Sequence, residues 1–81
     1  MEREWMKDIR RSKGMTCADL AAKVGMSECH LVNIENGKRK TNGLDMDFLI
    51  RLADALRVKP VKILQSEIDY LREVRDGTEN S

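Results

Sequence analysis

The stretch TCADLAAKVGMSECHLVNIENG, residues 16–37, reads as two short helices joined by a tight turn. Leu20, Ala21 and Val24 fall at i, i+1 and i+4, one face of the first helix. Leu31 and Ile34 fall three apart on the second. Gly25 stands between them, where a sharp turn calls for positive φ. Thr16 is an N-cap with Asp19 three residues on, a short-armed capping box, and Ser27 is the second N-cap. Met15 with Leu20, and Met26 with Leu31, flank these caps as hydrophobic staples that fix the entry of the chain. Gly37 is a natural stop.

Helices this short are marginal alone and must pack on the rest of the chain. Upstream, residues 2–13 form a helix with Trp5, Met6 and Ile9 on one face, ended by Gly14. Downstream, GKRKTNGL, residues 37–44, is a loop. Asp45 caps a fourth helix over residues 45–57, with Leu44 and Leu49 repeating the staple and Leu49, Leu52, Ala53 and Leu56 as its buried stripe. Val58 and Ile63 bracket Lys59 in the same way. Pro60 then opens a fifth helix that reaches about Val74. Ile63 and Leu64 complete the core. Ile68, Tyr70, Leu71 and Val74 continue apolar beyond it, a candidate homodimer interface, with folding back onto the first helix and Trp5 as the other outcome. The domain is expected over residues 1–75 and a flexible tail over 76–81.

On the second helix of the opening stretch, Ser27, Leu31 and Ile34 face inward, with His30 and Glu35 at the edges. Cys29, Val32, Asn33 and Asn36 face outward, with Glu28 at the margin. That outer face carries no Lys or Arg, yet Lys38, Arg39 and Lys40 follow at once. A low-charge helix face beside a basic loop suits a DNA groove flanked by phosphates.

Composition excludes several classes. At 81 residues there is room for one small domain, and 41% apolar residues in helical periods argue for folding rather than disorder. No apolar run approaches the ~20 residues of a membrane span, and no signal-peptide core opens the chain, so the expected compartment is the cytoplasm. Net charge is +1, but residues 37–62 carry +4 and residues 63–81 carry −3. The positive charge follows the helix pair, and the acidic end is expected to point away from phosphates. Cys17, Cys29 and His30 offer three possible ligands where structural zinc takes four, so no metal and no cofactor are expected. Cys17 lies in a helix's first turn, a setting that can lower a thiol's pKa. One His, no Gly-rich phosphate loop and no nucleophile constellation argue against an enzyme.

Leu20, Ala21, Gly25, Met26, Ser27, Leu31, Ile34 and the run Glu35-Asn36-Gly37-Lys38, with the downstream helices, resemble the Cro/repressor-type (XRE) helix-turn-helix regulators from about Ile9 to Leu64. The resemblance implies an all-α, five-helix lambda-repressor-like domain with the helix-turn-helix at helices two and three. It implies a sequence-specific, double-stranded-DNA-binding transcriptional regulator: a homodimeric repressor of phage, mobile-element or restriction-modification controller type. It implies an architectural pair between Arg10 and Glu35. Base reading would fall to Glu28, Cys29, Val32 and Asn33: Asn33 on adenine, Glu28 on the cytosine amino group, Cys29 and Val32 on thymine methyls. Phosphate contacts would fall to Cys17, Asn36, Lys38, Arg39 and Lys40. The chain departs from the pattern in three places. Cys17 replaces the usual Gln, Glu28 adds negative charge, and the loop before Leu44 is about three residues longer with no Pro. These departures keep a second expectation open, an antitoxin or adaptor that uses the fold mainly to hold a protein partner.

Overall fold

Among the described residues five helices follow one another in the order the caps dictate: α1 (Glu4–Ser12), α2 (Cys17–Val24), α3 (Glu28–Asn36), α4 (Met46–Leu56) and α5 (Pro60–Glu79). The structure, a computed structural model, describes residues 1–38 and 44–79, and among these there is no strand. Thr16 Oγ1 accepts from the Asp19 amide at 3.1 Å while Asp19 Oδ2 accepts from the Thr16 amide at 3.1 Å, a complete capping box on α2. Ser27 Oγ accepts from the His30 amide at 3.1 Å on α3, and Asp45 Oδ1 from the Phe48 amide at 2.7 Å on α4. These caps satisfy helix N–H groups that would otherwise lack partners. Gly25 and Gly37 close α2 and α3 at φ of 77° and 63°, the left-handed region the turn reading calls for.

The core forms where the apolar stripes converge. Met6 of α1, Leu20 and Val24 of α2, Leu31 of α3, Leu52 and Leu56 of α4, and Ile63 of α5 are all buried, and Leu64 is half-buried against them. Phe48, not part of the expected stripe, is buried as well and widens the α4 face. The helix-turn-helix thus rests on α1, α4 and the first turns of α5, and the outer side of α3 is left uncovered.

Helix α5 runs to Glu79, so residues 76–79 of the expected tail continue it. No Pro interrupts this segment, and a lone Gly77 weakens a helix without breaking it. Tyr70, expected on a partner-facing stripe, is occupied within the chain. Its hydroxyl donates to the Met1 carbonyl at 2.7 Å, and its ring lies 4.4 Å from the Arg3 guanidinium carbon. The inward phase of α5 is Ile63, Glu67, Tyr70, spaced i, i+4, i+7. The outward phase is Val61, Ile68 and Leu71, with Val61 74% and Ile68 43% exposed.

Candidate nucleic-acid interface

On helix α3 Glu28 and Cys29 are exposed and Val32, Asn33 and Asn36 half-buried, while Leu31 and Glu35 are buried. His30, expected at the edge of the inward face, is exposed. Asn33 Nδ2 stands 4.0 Å from Cys29 Sγ one turn back, a weak contact that does not commit the amide. The four expected base readers therefore share one surface, with Glu28 and Cys29 at its N-terminal end and Val32 and Asn33 nearer the rim. A helix entering a major groove brings its N-terminal residues closest to the base edges.

Leu31 seats α3 in the core, and an ion pair ties its far end to α1. Arg10 Nε and Nη2 donate to the two Glu35 oxygens at 2.8 and 3.1 Å, and Nη1 donates to the Met15 carbonyl at 2.9 Å. One guanidinium thus joins α1, α3 and the entry to α2. Hydrogen bonding to Glu35 raises the Arg10 pKa above its ordinary value, and burial opposes this only in part. A second pair is nowhere evident in the apolar pattern. Arg3 Nε and Nη2 donate to Glu67 of α5 at 3.0 and 3.1 Å, with 2% and 3% of the two side chains exposed. The signal that could have found it is the position of Glu67, an acid four residues after Ile63 on the core-facing phase of its helix. A buried carboxylate requires a cation.

Around α3 the charge is uneven. Lys38 is exposed just past the helix end, whereas Arg39 and Lys40 lie outside the described residues. Cys17, at the first position of α2, is half-buried, and burial followed by the nearby Glu35 carboxylate pushes its thiol up from its ordinary value. The helix N-terminus does not lower it, so at neutral pH this position offers a neutral thiol and a backbone N–H. Farther round, Lys13, Lys23 and Arg57 line shallow grooves that no α3 residue borders. Lys13 and Arg57 cap the C-terminal ends of α1 and α4, and Lys23 lies in the last turn of α2. There a cation offsets the helix dipole, which accounts for all three. Among the described residues no cluster of His, Cys, Asp and Glu has the geometry to hold a metal ion, and no helix is long and apolar enough to cross a membrane.

The comparisons agree with this geometry. A family model described as helix-turn-helix matches residues 6–63. A search of curated proteins finds no match. Among solved structures, the clp gene regulator ClgR from C. glutamicum superposes with a TM-score of 0.66 at 21% identity, covering 82% of this chain and 82% of that one. At that identity the likeness bears on the fold alone, which it supports as an all-α helix-turn-helix domain.

Proposed function

Because the chain belongs to the Cro/repressor-type (XRE) helix-turn-helix family, we propose that it is a DNA-binding transcriptional regulator, a cytoplasmic homodimeric repressor of phage, mobile-element or restriction-modification controller type. The observation that carries the reading is the pose of α3. Its outer face holds Glu28, Cys29, Val32 and Asn33 uncovered, while two buried Arg–Glu pairs fix the helix from behind. Asn33 is the residue suited to adenine, and Cys29 and Val32 to thymine methyls. Lys38, with Arg39 and Lys40 following in the sequence, and the free N–H groups opening α2 and α3 supply phosphate contacts on either side. The Cys17 amide takes that role better than its neutral side chain. A dimer places two such helices about one helical turn of DNA apart, roughly 34 Å.

Selection of duplexes from a random pool, followed by affinity at two salt concentrations, tests the reading. The expected result is a two-fold motif with thymines under Cys29 and Val32 and an affinity that falls steeply with salt. A selected site lacking thymine there would remove the assigned base contacts. The exposed Glu28, at the part of α3 nearest the bases, favours one other reading, an adaptor or antitoxin that holds a protein. No duplex enrichment by a folded sample, together with recovery of a protein partner, is the outcome that reading expects.

A further inference from the structure

Arg3 stands just before α1 and Glu67 in the middle of α5, yet between them they hold the last turn of the reading helix and the residue ahead of the α4 cap. Arg3 Nη1 donates to the Ile34 carbonyl at 2.8 Å, and the Arg3 amide donates to the Glu35 carbonyl at 2.7 Å. Carbonyls in a helix's last turn lack partners within the helix; here the chain's own N-terminal segment supplies the Glu35 carbonyl, and on the Ile34 carbonyl it adds to the Gly37 amide at 3.2 Å. On the other side of the pair, Glu67 Oε2 accepts from Arg3 Nη2 and also from the Leu44 amide at 3.1 Å. Leu44 is the staple residue just before the Asp45 cap of α4, and Gly37 and Lys38 follow directly on the gripped end of α3. Tyr70, one turn beyond Glu67, covers the Arg3 guanidinium and bonds the Met1 carbonyl, which closes the assembly against water.

We propose that Arg3 and Glu67 are a positioning pair for DNA recognition, setting the pose of the C-terminal end of α3 and of Leu44 ahead of α4. The inference rests on the DNA-binding reading above. It differs from a stability role in a specific way. Buried ion pairs contribute little net stability over well-packed apolar residues of similar volume. Apolar side chains nonetheless cannot bond the Ile34 carbonyl or the Leu44 amide. Stability and positioning can therefore be separated by replacing both partners at once.

The test is the double variant Arg3→Met/Glu67→Leu, compared with the full wild-type chain. Its unfolding midpoint is expected within about 5 °C of wild type. Its affinity for the selected duplex is expected to fall about tenfold, the scale of one lost bidentate base contact. By hydrogen exchange, the Leu44 amide and the last amides of α3 are expected to open at least about tenfold faster, while buried α2 and α4 amides keep their protection. Wild-type-like duplex affinity, or exchange that rises equally throughout the chain, overturns the proposal. Should the double variant not fold, Glu67→Gln, assayed well below its midpoint, gives the same two readouts, and the same outcomes decide. Failure of wild type to bind any duplex sinks the DNA reading alone, and the exchange pattern then decides whether the pair positions α3 and Leu44.

Discussion

Glycines 25 and 37 have nearly the same backbone but different surroundings, and that difference predicts different costs. At Gly25 an added Cβ meets nothing within 4 Å, so Gly25→Ala bears only the left-handed strain, about 1 kcal/mol after the gain from a stiffer unfolded chain. At Gly37 the same Cβ runs into the Met1 carbonyl and comes 2.8 Å from the Tyr70 hydroxyl oxygen. The N-terminal segment must shift and its bond to Tyr70 must stretch, so Gly37→Ala is expected to cost roughly 2–3 kcal/mol. Urea unfolding of both variants checks the order, and equal losses would show that Met1 does not press on Gly37. Arg57 poses the opposite case. It is the one described non-glycine residue at positive φ, 57°, and it caps α4 where Gly is the usual choice. Arg57→Gly is expected to gain about 0.5 kcal/mol, the relieved strain less the added freedom of the unfolded chain and the lost charge at the helix end. A lower unfolding midpoint would contradict it.

At the scale of helices, the caps and staples made most of the fold legible in the sequence. Thr16, Ser27 and Asp45 mark starts that the structure shares to the residue, because capping is a local interaction that short sequence patterns report well. The Arg10–Glu35 pair could be stated only through the family resemblance, since nothing local ties positions 25 residues apart. Arg3–Glu67 went unread because α5 has two apolar phases. The Ile68, Leu71, Val74 spacing masked the inward phase on which Glu67 stands. Removing one partner of a buried pair leaves an uncompensated charge, so Arg10→Met is expected to cost about 3–5 kcal/mol, a large share of what a domain this size has. Arg10→Met/Glu35→Leu should recover most of that loss, and a double variant as unstable as the single would contradict this account. The α2 capping box adds a pH dependence. Hydrogen bonds from Thr16, backbone first, lower the Asp19 pKa in the folded state. A carboxylate whose folded pKa is depressed contributes stability above its unfolded value and loses it as pH falls through the folded one. The stability advantage of wild type over Asp19→Asn should therefore be present at pH 7 and vanish in acid, as thermal unfolding at the two pH values can show.

For the whole molecule, the homodimer proposed above needs a surface left to meet a second copy. Tyr70 is spent on Met1 and Arg3, and Glu67 on the interior, so the inward phase of α5 is closed. The outward phase remains open. Val61, Ile68 and Leu71 form a stripe at i, i+7 and i+10, with Leu64 at its core-facing edge and Val61 and Ile68 well exposed. Such spacing suits helix-on-helix packing between like chains. A two-fold dimer built on this stripe with its axis at Ile68 would set that residue against its own counterpart in the other copy. Ile68→Glu would then bring two like charges together in an apolar contact, while in the monomer the side chain simply points to water. The dimer dissociation constant is expected to rise at least about tenfold, with the unfolding midpoint at high dilution unchanged. Sedimentation over a range of concentrations reads the first quantity, and thermal unfolding of dilute samples the second. Affinity for a two-fold duplex should fall with dimerisation, while affinity for a single half-site stays as in wild type. If Ile68→Glu leaves association untouched, the outward face of α5 is not where the copies meet.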